Sequence, residues 1–197
     1  MKYWKLPNNK SLAFVPRAGS TAWSQAIMEQ FYPYLLQTQK NTLVPSGKER
    51  ASAQFILPFD VDPYGQAHIV LRNPIERFIS GYSRAANNMT VDELIDFLIN
   101  NEDSQVNVHI RRIIDQFGDL TGIKMYKWET DLEQLRIDIG LYSVPTLNIS
   151  EPNSKPTLTN NQIEKLNQYY ADDIRLWDFV TYPGKIFNKT QFDLFIK

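Results

Sequence analysis

The 197-residue chain contains no cysteine. Disulfides, thiolate metal sites and a thiol nucleophile are thereby excluded. Histidine is scarce, with His68 and His109 the only two. No carboxylate or histidine pattern of a metal site stands out, so the expected metal is none. Charge of one sign is also lacking. A formal net charge of −1 gives no bulk attraction to nucleic acid or to a membrane surface, so neither is an expected partner and any anion site has to be built locally. No run of about 18 apolar residues occurs, which argues against a transmembrane helix. The opening stretch MKYWKLPNNK lacks the apolar segment of a signal peptide, and a cytoplasmic protein is the expectation. Neither an internal repeat nor a low-complexity tract is visible.

What is present describes an ordinary globular chain, 43% hydrophobic and 22% charged, with 13% aromatics to fill a core. Its length suits a single domain spanning 1–197. Residues 12–15 form a short apolar run suited to a strand buried on both faces. From Ser20 a helical pattern runs through Trp23, Ile27 and Phe31 and ends near Pro33. Residues 38–53 read as polar loop, 54–57 as a second strand cut by Pro58, and 67–71 as a further strand. Asn73 is placed to cap a helix whose first residue is Pro74. Ile110, Ile113, Ile114 and Phe117 fall at helical spacing, and 123–128 reads as a strand. Thr90 with Glu93, Thr130 with Glu133, and Thr159 with Gln162 each spell a capping box. The last opens one long predicted helix through Ile163, Leu166, Tyr170, Ile174 and Trp177. Strands alternating with helices predict an α/β fold with a mainly parallel central sheet flanked by helices.

Two stretches carry chemistry. In LAFVPRAGST an apolar strand ends in Pro16, Arg17, Ala18 and Gly19, and a helix begins at Ser20 and Thr21. A strand-to-helix turn in a parallel sheet lies at the carboxyl edge, where ligands bind. The helix start presents free N–H groups and a partial positive charge. Gly19 permits close backbone approach to an anion, Ser20 and Thr21 add hydroxyl donors, and Arg17 adds a planar fork suited to phosphate or sulfate. Alone, the stretch is equally compatible with an ordinary turn carrying a serine N-cap. The triphosphate loop G-x-x-x-x-G-K-[ST] is not matched, since the first glycine and the Lys-[ST] pair are missing.

The second stretch, HIVLRNPIERFISGYSRA, puts Arg72 at a strand end immediately before the capped helix, at the same sheet edge. Ile75, Phe78, Ile79 and Tyr82 form one helical stripe, facing the core. Asn73, Arg77, Ser80 and Arg84 form another, polar stripe, which a solvated amphipathic helix would also show. Two anion sites at one edge suit a ligand with two separated phosphate-like groups.

With these residues in place the sequence resembles a family. PRAGST resembles the 5′-phosphosulfate loop of sulfotransferases, P-[KR]-x-G-[ST]-[ST], and VLRNPIERFISGY resembles their 3′-phosphate motif, hhRxPxxRhxSxY, where h is apolar. Weaker likenesses follow at His109, at KWETDLEQL and at LTNNQIEKLNQYYADDIRLW, closest to the carbohydrate sulfotransferases. The chain departs from the Golgi enzymes in lacking their membrane anchor and the cysteines that many of them carry, and a cytoplasmic setting, bacterial or in the host of a virus, is implied.

The resemblance implies a P-loop-like three-layer fold and 3′-phosphoadenosine 5′-phosphosulfate as donor. Arg17, Ala18, Gly19, Ser20 and Thr21 would hold the phosphosulfate, and Arg72 and Ser80 the 3′-phosphate. The acceptor would be a hydroxyl, on a carbohydrate in the first instance, with peptide tyrosine, lipids and small metabolites open. Arg17 would stabilise the charge that develops on the leaving phosphate. The general base is left among His109, Asp60 and Asp62, with Lys48 and Glu49 as outsiders. Lys155 is a possible donor contact, although most such loop lysines are simply solvated. His68, four residues before Arg72 on one strand, lies roughly 13 Å from the reacting edge and is read as structural. Two alternatives stand beside the enzyme: a non-catalytic nucleotide-binding or assembly module that keeps the fold, and a P-loop-type nucleotide kinase.

Overall fold

The computed structural model describes residues 2–6, 9–18, 20–33, 56–58, 66–101, 105–143 and 155–196. A hairpin opens the chain, with β1 Lys2–Leu6 pairing antiparallel to β2 Lys10–Phe14. The first of these strands has no counterpart in the sequence-based expectations. Asn9, at φ +59°, takes the left-handed conformation in the turn between them, as asparagine tolerates. Helix α1, Ser20–Phe31, follows β2. It turns Trp23, Ser24, Ala26, Ile27 and Met28 inward, and Ser24 Oγ accepts a hydrogen bond from the buried Trp4 indole at 3.2 Å.

Strand β3, Ile56–Pro58, lies at the sheet edge against β1, where a proline without an N–H is tolerated. Strand β4, Ala67–Leu71, is buried at every position, as a central strand covered on both faces should be. Helices α2 Pro74–Ala85 and α3 Val91–Asn100, the short α4 Ile113–Phe117 and strand β5 Lys124–Lys127 follow. The sheet order is β3-β1-β2-β4-β5. β2, β4 and β5 form its parallel part, and β1 runs against both of its neighbours, so only β1 points the other way. The expected α/β fold with a mainly parallel sheet and flanking helices is what the chain adopts.

Helix α5, Leu132–Ile139, packs on β2 and β5. The capping box expected of Thr130 and Glu133 does not form. Asp131 is the N-cap, and no side chain caps the helix. Instead Asp131 accepts the Lys127 N–H at 2.9 Å and the Thr130 hydroxyl at 2.7 Å, and Glu133 pairs with Arg136, so neither side chain is left for the box. The other two boxes form in full.

The long helix expected after Thr159 is two, α6 Asn160–Tyr169 and α7 Ala171–Phe179, broken at Tyr170. Tyr170 is buried. Its hydroxyl donates to the Ile110 carbonyl, and its ring centroid lies 5.5 Å from the Arg77 guanidinium. These tertiary contacts outweigh local helix propensity. Helix α8, Lys189–Phe195, closes the described chain.

Two apolar clusters result. One surrounds the sheet and includes Trp4, Trp23, Ile69, Met125 and Leu176. The other joins α2, α3 and α6 through Phe78, Leu94, Leu98, Ile110 and Leu166. No helix among the described residues is long and apolar enough to cross a membrane.

Candidate functional site

β2 and β4 run parallel with Phe14 opposite Val70, so the turn after β2 and Arg72 after β4 emerge side by side at the carboxyl edge. The turn is built from its own sequence. The Ala18 N–H bonds back to the Val15 carbonyl at 3.1 Å, which makes residues 15–18 a β-turn with Pro16 second. Arg17, in third place, has φ +69°. Proline followed by a positive φ defines a type II turn, whose third residue is ordinarily glycine. An arginine there costs about 1–2 kcal/mol, and strain of this kind is kept where the surroundings enforce it.

Two hydrogen bonds enforce it here. The Arg72 guanidinium donates to the Arg17 carbonyl at 2.8 Å, and Arg17 Nε donates to Ser80 Oγ on α2 at 3.2 Å. The three residues that the sequence placed at two anion sites are therefore in direct contact. Arg72 retains a buried Nε with no hydrogen-bond partner among the described residues, and a buried donor of this kind calls for an acceptor. Burial lowers the Arg72 pKa, against the opposing pull of Glu129 and Glu76. Burial, then Arg84 and Arg72, lowers that of Arg17. Cations crowded in this way favour an anionic ligand.

Helix α2 supplies the next layer. The polar stripe expected of Asn73, Arg77, Ser80 and Arg84 is not a solvated face. Arg84 is exposed, but Ser80 is buried and Arg77 is 0% exposed. Arg77 pairs with the buried Asp173 of α7 at 3.2 Å and donates to the Arg111 carbonyl at 2.7 Å. Asp173 also accepts the N–H groups of Ile113 and Ile114 at the start of α4. Burial pushes this carboxyl up, opposed by Arg77 and by those two N–H groups. The carbonyls of residues 110 and 111 are thus held by Tyr170 and Arg77. Gly81 lets this segment lie directly against α2, because a Cβ there would stand 2.8 Å from Ile110 Cγ2 and 3.0 Å from the His109 carbonyl.

His109 is carried by that pinned segment. It is half-buried, and its Nδ1 lies 2.8 Å from Asn107 Oδ1. Burial lowers its pKa, followed by the charges of Arg17, Arg84 and Arg77, which keeps the imidazole neutral at physiological pH. Arg84 thus acts on both His109 and Arg17 of the turn, and Arg17 acts on His109 in its own right.

The remaining candidates separate. The helix that follows the turn does begin at Ser20. Gly19, Asp60 and Asp62, and also Lys48 and Glu49, lie outside the described residues. Lys155 is exposed. His68 is buried in β4, with Nδ1 3.1 Å from the Ser11 carbonyl and its ring stacked on Tyr126, a structural setting. An open cleft of about 410 Å³ lies beside Asn73, with Glu76, Lys127, Glu129, Trp177 and Tyr182 in its wall. Among the described residues no group of three acidic or histidine side chains is placed to hold a metal.

Sequence reasoning missed the inward turn of Arg77, the close contact at Gly81, and Asn107. Only the last had a local signal, since an asparagine two residues before a histidine is placed to bond the backbone ahead of it. No family model, curated protein or solved structure matches this chain.

Proposed function

We propose that the protein is a sulfotransferase, moving the sulfuryl group of 3′-phosphoadenosine 5′-phosphosulfate to an acceptor hydroxyl, with a carbohydrate as the first acceptor to examine. The observation that carries this reading is the contact of Arg17, Ser80 and Arg72, with the charge of Arg17 acting on His109 and a buried Arg72 Nε lacking a partner among the described residues. The motif order of the sequence supports it independently.

In this reading Arg17, the 18–19 backbone, Ser20 and Thr21 hold the 5′-phosphosulfate. Arg72 and Ser80 hold the 3′-phosphate. Ser80 Oγ accepts from Arg17 and still has its own proton to donate to a phosphate oxygen. The cleft beside Asn73 is assigned to the adenosine. The acceptor oxygen attacks sulfur in line. An O–S bond forms, the bond from sulfur to the 5′-phosphate oxygen breaks, and adenosine 3′,5′-bisphosphate leaves. The hydroxyl proton goes to His109, whose neutral state suits a base. Arg17 and the loop N–H groups stabilise charge on the leaving phosphate.

The test is transfer of ³⁵S from labelled donor to a panel of polysaccharides, tyrosine peptides and small hydroxyl compounds, with γ-labelled ATP as a parallel donor. Sulfated product with no phosphorylated product supports the reading. Phosphoryl transfer would establish the kinase alternative, and bisphosphate binding without turnover on any acceptor would establish the non-catalytic one.

A further inference from the structure

We infer that Asn107 is a positioning residue that fixes the proton of His109 on Nδ1 and leaves Nε2 as the bare nitrogen that takes the acceptor's proton. The inference rests on the sulfotransferase reading for the identity of that proton, but not for the tautomer.

The side-chain amide of Asn107 has two ends, and each meets a backbone group whose role is fixed. The NH₂ end donates to the Arg84 carbonyl at 3.3 Å, and the oxygen end accepts the His109 N–H at 3.0 Å. A carbonyl only accepts and a backbone N–H only donates, so a flipped amide would lose both bonds. The same oxygen lies 2.8 Å from His109 Nδ1. An amide oxygen has no proton to give, so Nδ1 must carry one. In the neutral ring Nε2 then holds the lone pair. Among the described residues nothing bonds to Nε2.

Among the described residues, the charged groups acting on the ring are Arg17 from the turn after β2, and Arg77 and Arg84 from α2. All three are cations, and none can accept the Nδ1 proton. Asn107 is thus the group that holds the tautomer. It does so without a negative charge, which would otherwise raise the basicity of the ring and keep it protonated.

The experiment is a two-bond ¹H–¹⁵N correlation spectrum of the full-length protein near neutral pH, with Asn107→Ala and Asn107→Asp beside it. The chain has only two imidazoles, and His109→Gln assigns them. The wild type is expected to show His109 protonated on Nδ1. Asn107→Ala should shift it to the Nε2-protonated form or a mixture. Asn107→Asp should keep Nδ1 protonated and raise the pKa. In turnover, kcat of Asn107→Ala should fall by roughly 100-fold at unchanged donor KM. The acid limb of kcat/KM for Asn107→Asp should move to higher pH, a change that a purely structural role would not produce. An Nε2-protonated wild type, or an unchanged tautomer in Asn107→Ala, overturns the inference. Should Asn107→Ala fail to fold, the wild-type and Asn107→Asp spectra still decide it. Failure of the sulfotransferase reading would show separately, as absence of bisphosphate binding to a protein whose tautomer is as stated.

Discussion

At the scale of single residues, Arg17 combines a strained backbone with a side chain that the proposed function places on the donor. Its positive φ is glycine's conformation, so Arg17→Gly should relieve strain while losing the bond to Ser80. The two effects are comparable, and stability should stay within about 1 kcal/mol of the wild type. Affinity for the bisphosphate should collapse. Urea unfolding and titration on the same preparation check both halves. Gly81→Ala should do the reverse of leaving the fold intact. Its Cβ would press on Ile110 and on the His109 carbonyl, costing about 1–3 kcal/mol and displacing His109, so under the proposed function kcat should fall more than donor affinity. A fully active, fully stable Gly81→Ala would show that His109 does not depend on that contact.

At the scale of elements, much was legible because the signals are local. The strands at 12–15, 67–71 and 123–128 lie within a residue or two of β2, β4 and β5. Asn73 accepts from the N–H groups of Ile75 and Glu76, as its place before Pro74 suggested. The convergence of Arg17 and Arg72 was legible too, because parallel strands deliver their carboxyl ends to one edge. What could not be read were the places where a distant partner decides. Thr130 has the spacing of a capping box, but Asp131 is already engaged by β5. Arg77 lies on a polar stripe, and its partner Asp173 is 96 residues away. Strand β1 depends on its hairpin partner. The two kinds of threonine should separate in unfolding experiments. Thr90→Ala should cost about 1 kcal/mol, and Thr130→Ala less than about 0.5 kcal/mol. Equal costs would contradict the cap assignments.

At the scale of the whole molecule, buried ionisable groups set how the fold responds to pH. Burial pushes His68 down to about 4, from an ordinary value of 6.5. On acidification the unfolded chain takes up this proton first. Stability present above pH 6.5 is therefore lost progressively as the pH falls towards 4, by on the order of 3 kcal/mol. Urea midpoints should drop across that window in the wild type and flatten in His68→Gln. The Arg77–Asp173 pair ties α2 to α7 and to the start of α4. Removing one partner with Asp173→Ala should cost about 3–5 kcal/mol, because it strands a buried guanidinium.

The central claim is that one sheet edge binds a nucleotide carrying separated anionic groups at its 3′ and 5′ positions. Calorimetric titration with adenosine 3′,5′-bisphosphate tests it most directly, on the wild type and on Arg72→Ala, with ATP as control. The account predicts tight binding to the wild type, loss of binding in Arg72→Ala, and none of comparable strength for ATP. No binding of the bisphosphate, or equal binding of ATP, would contradict it.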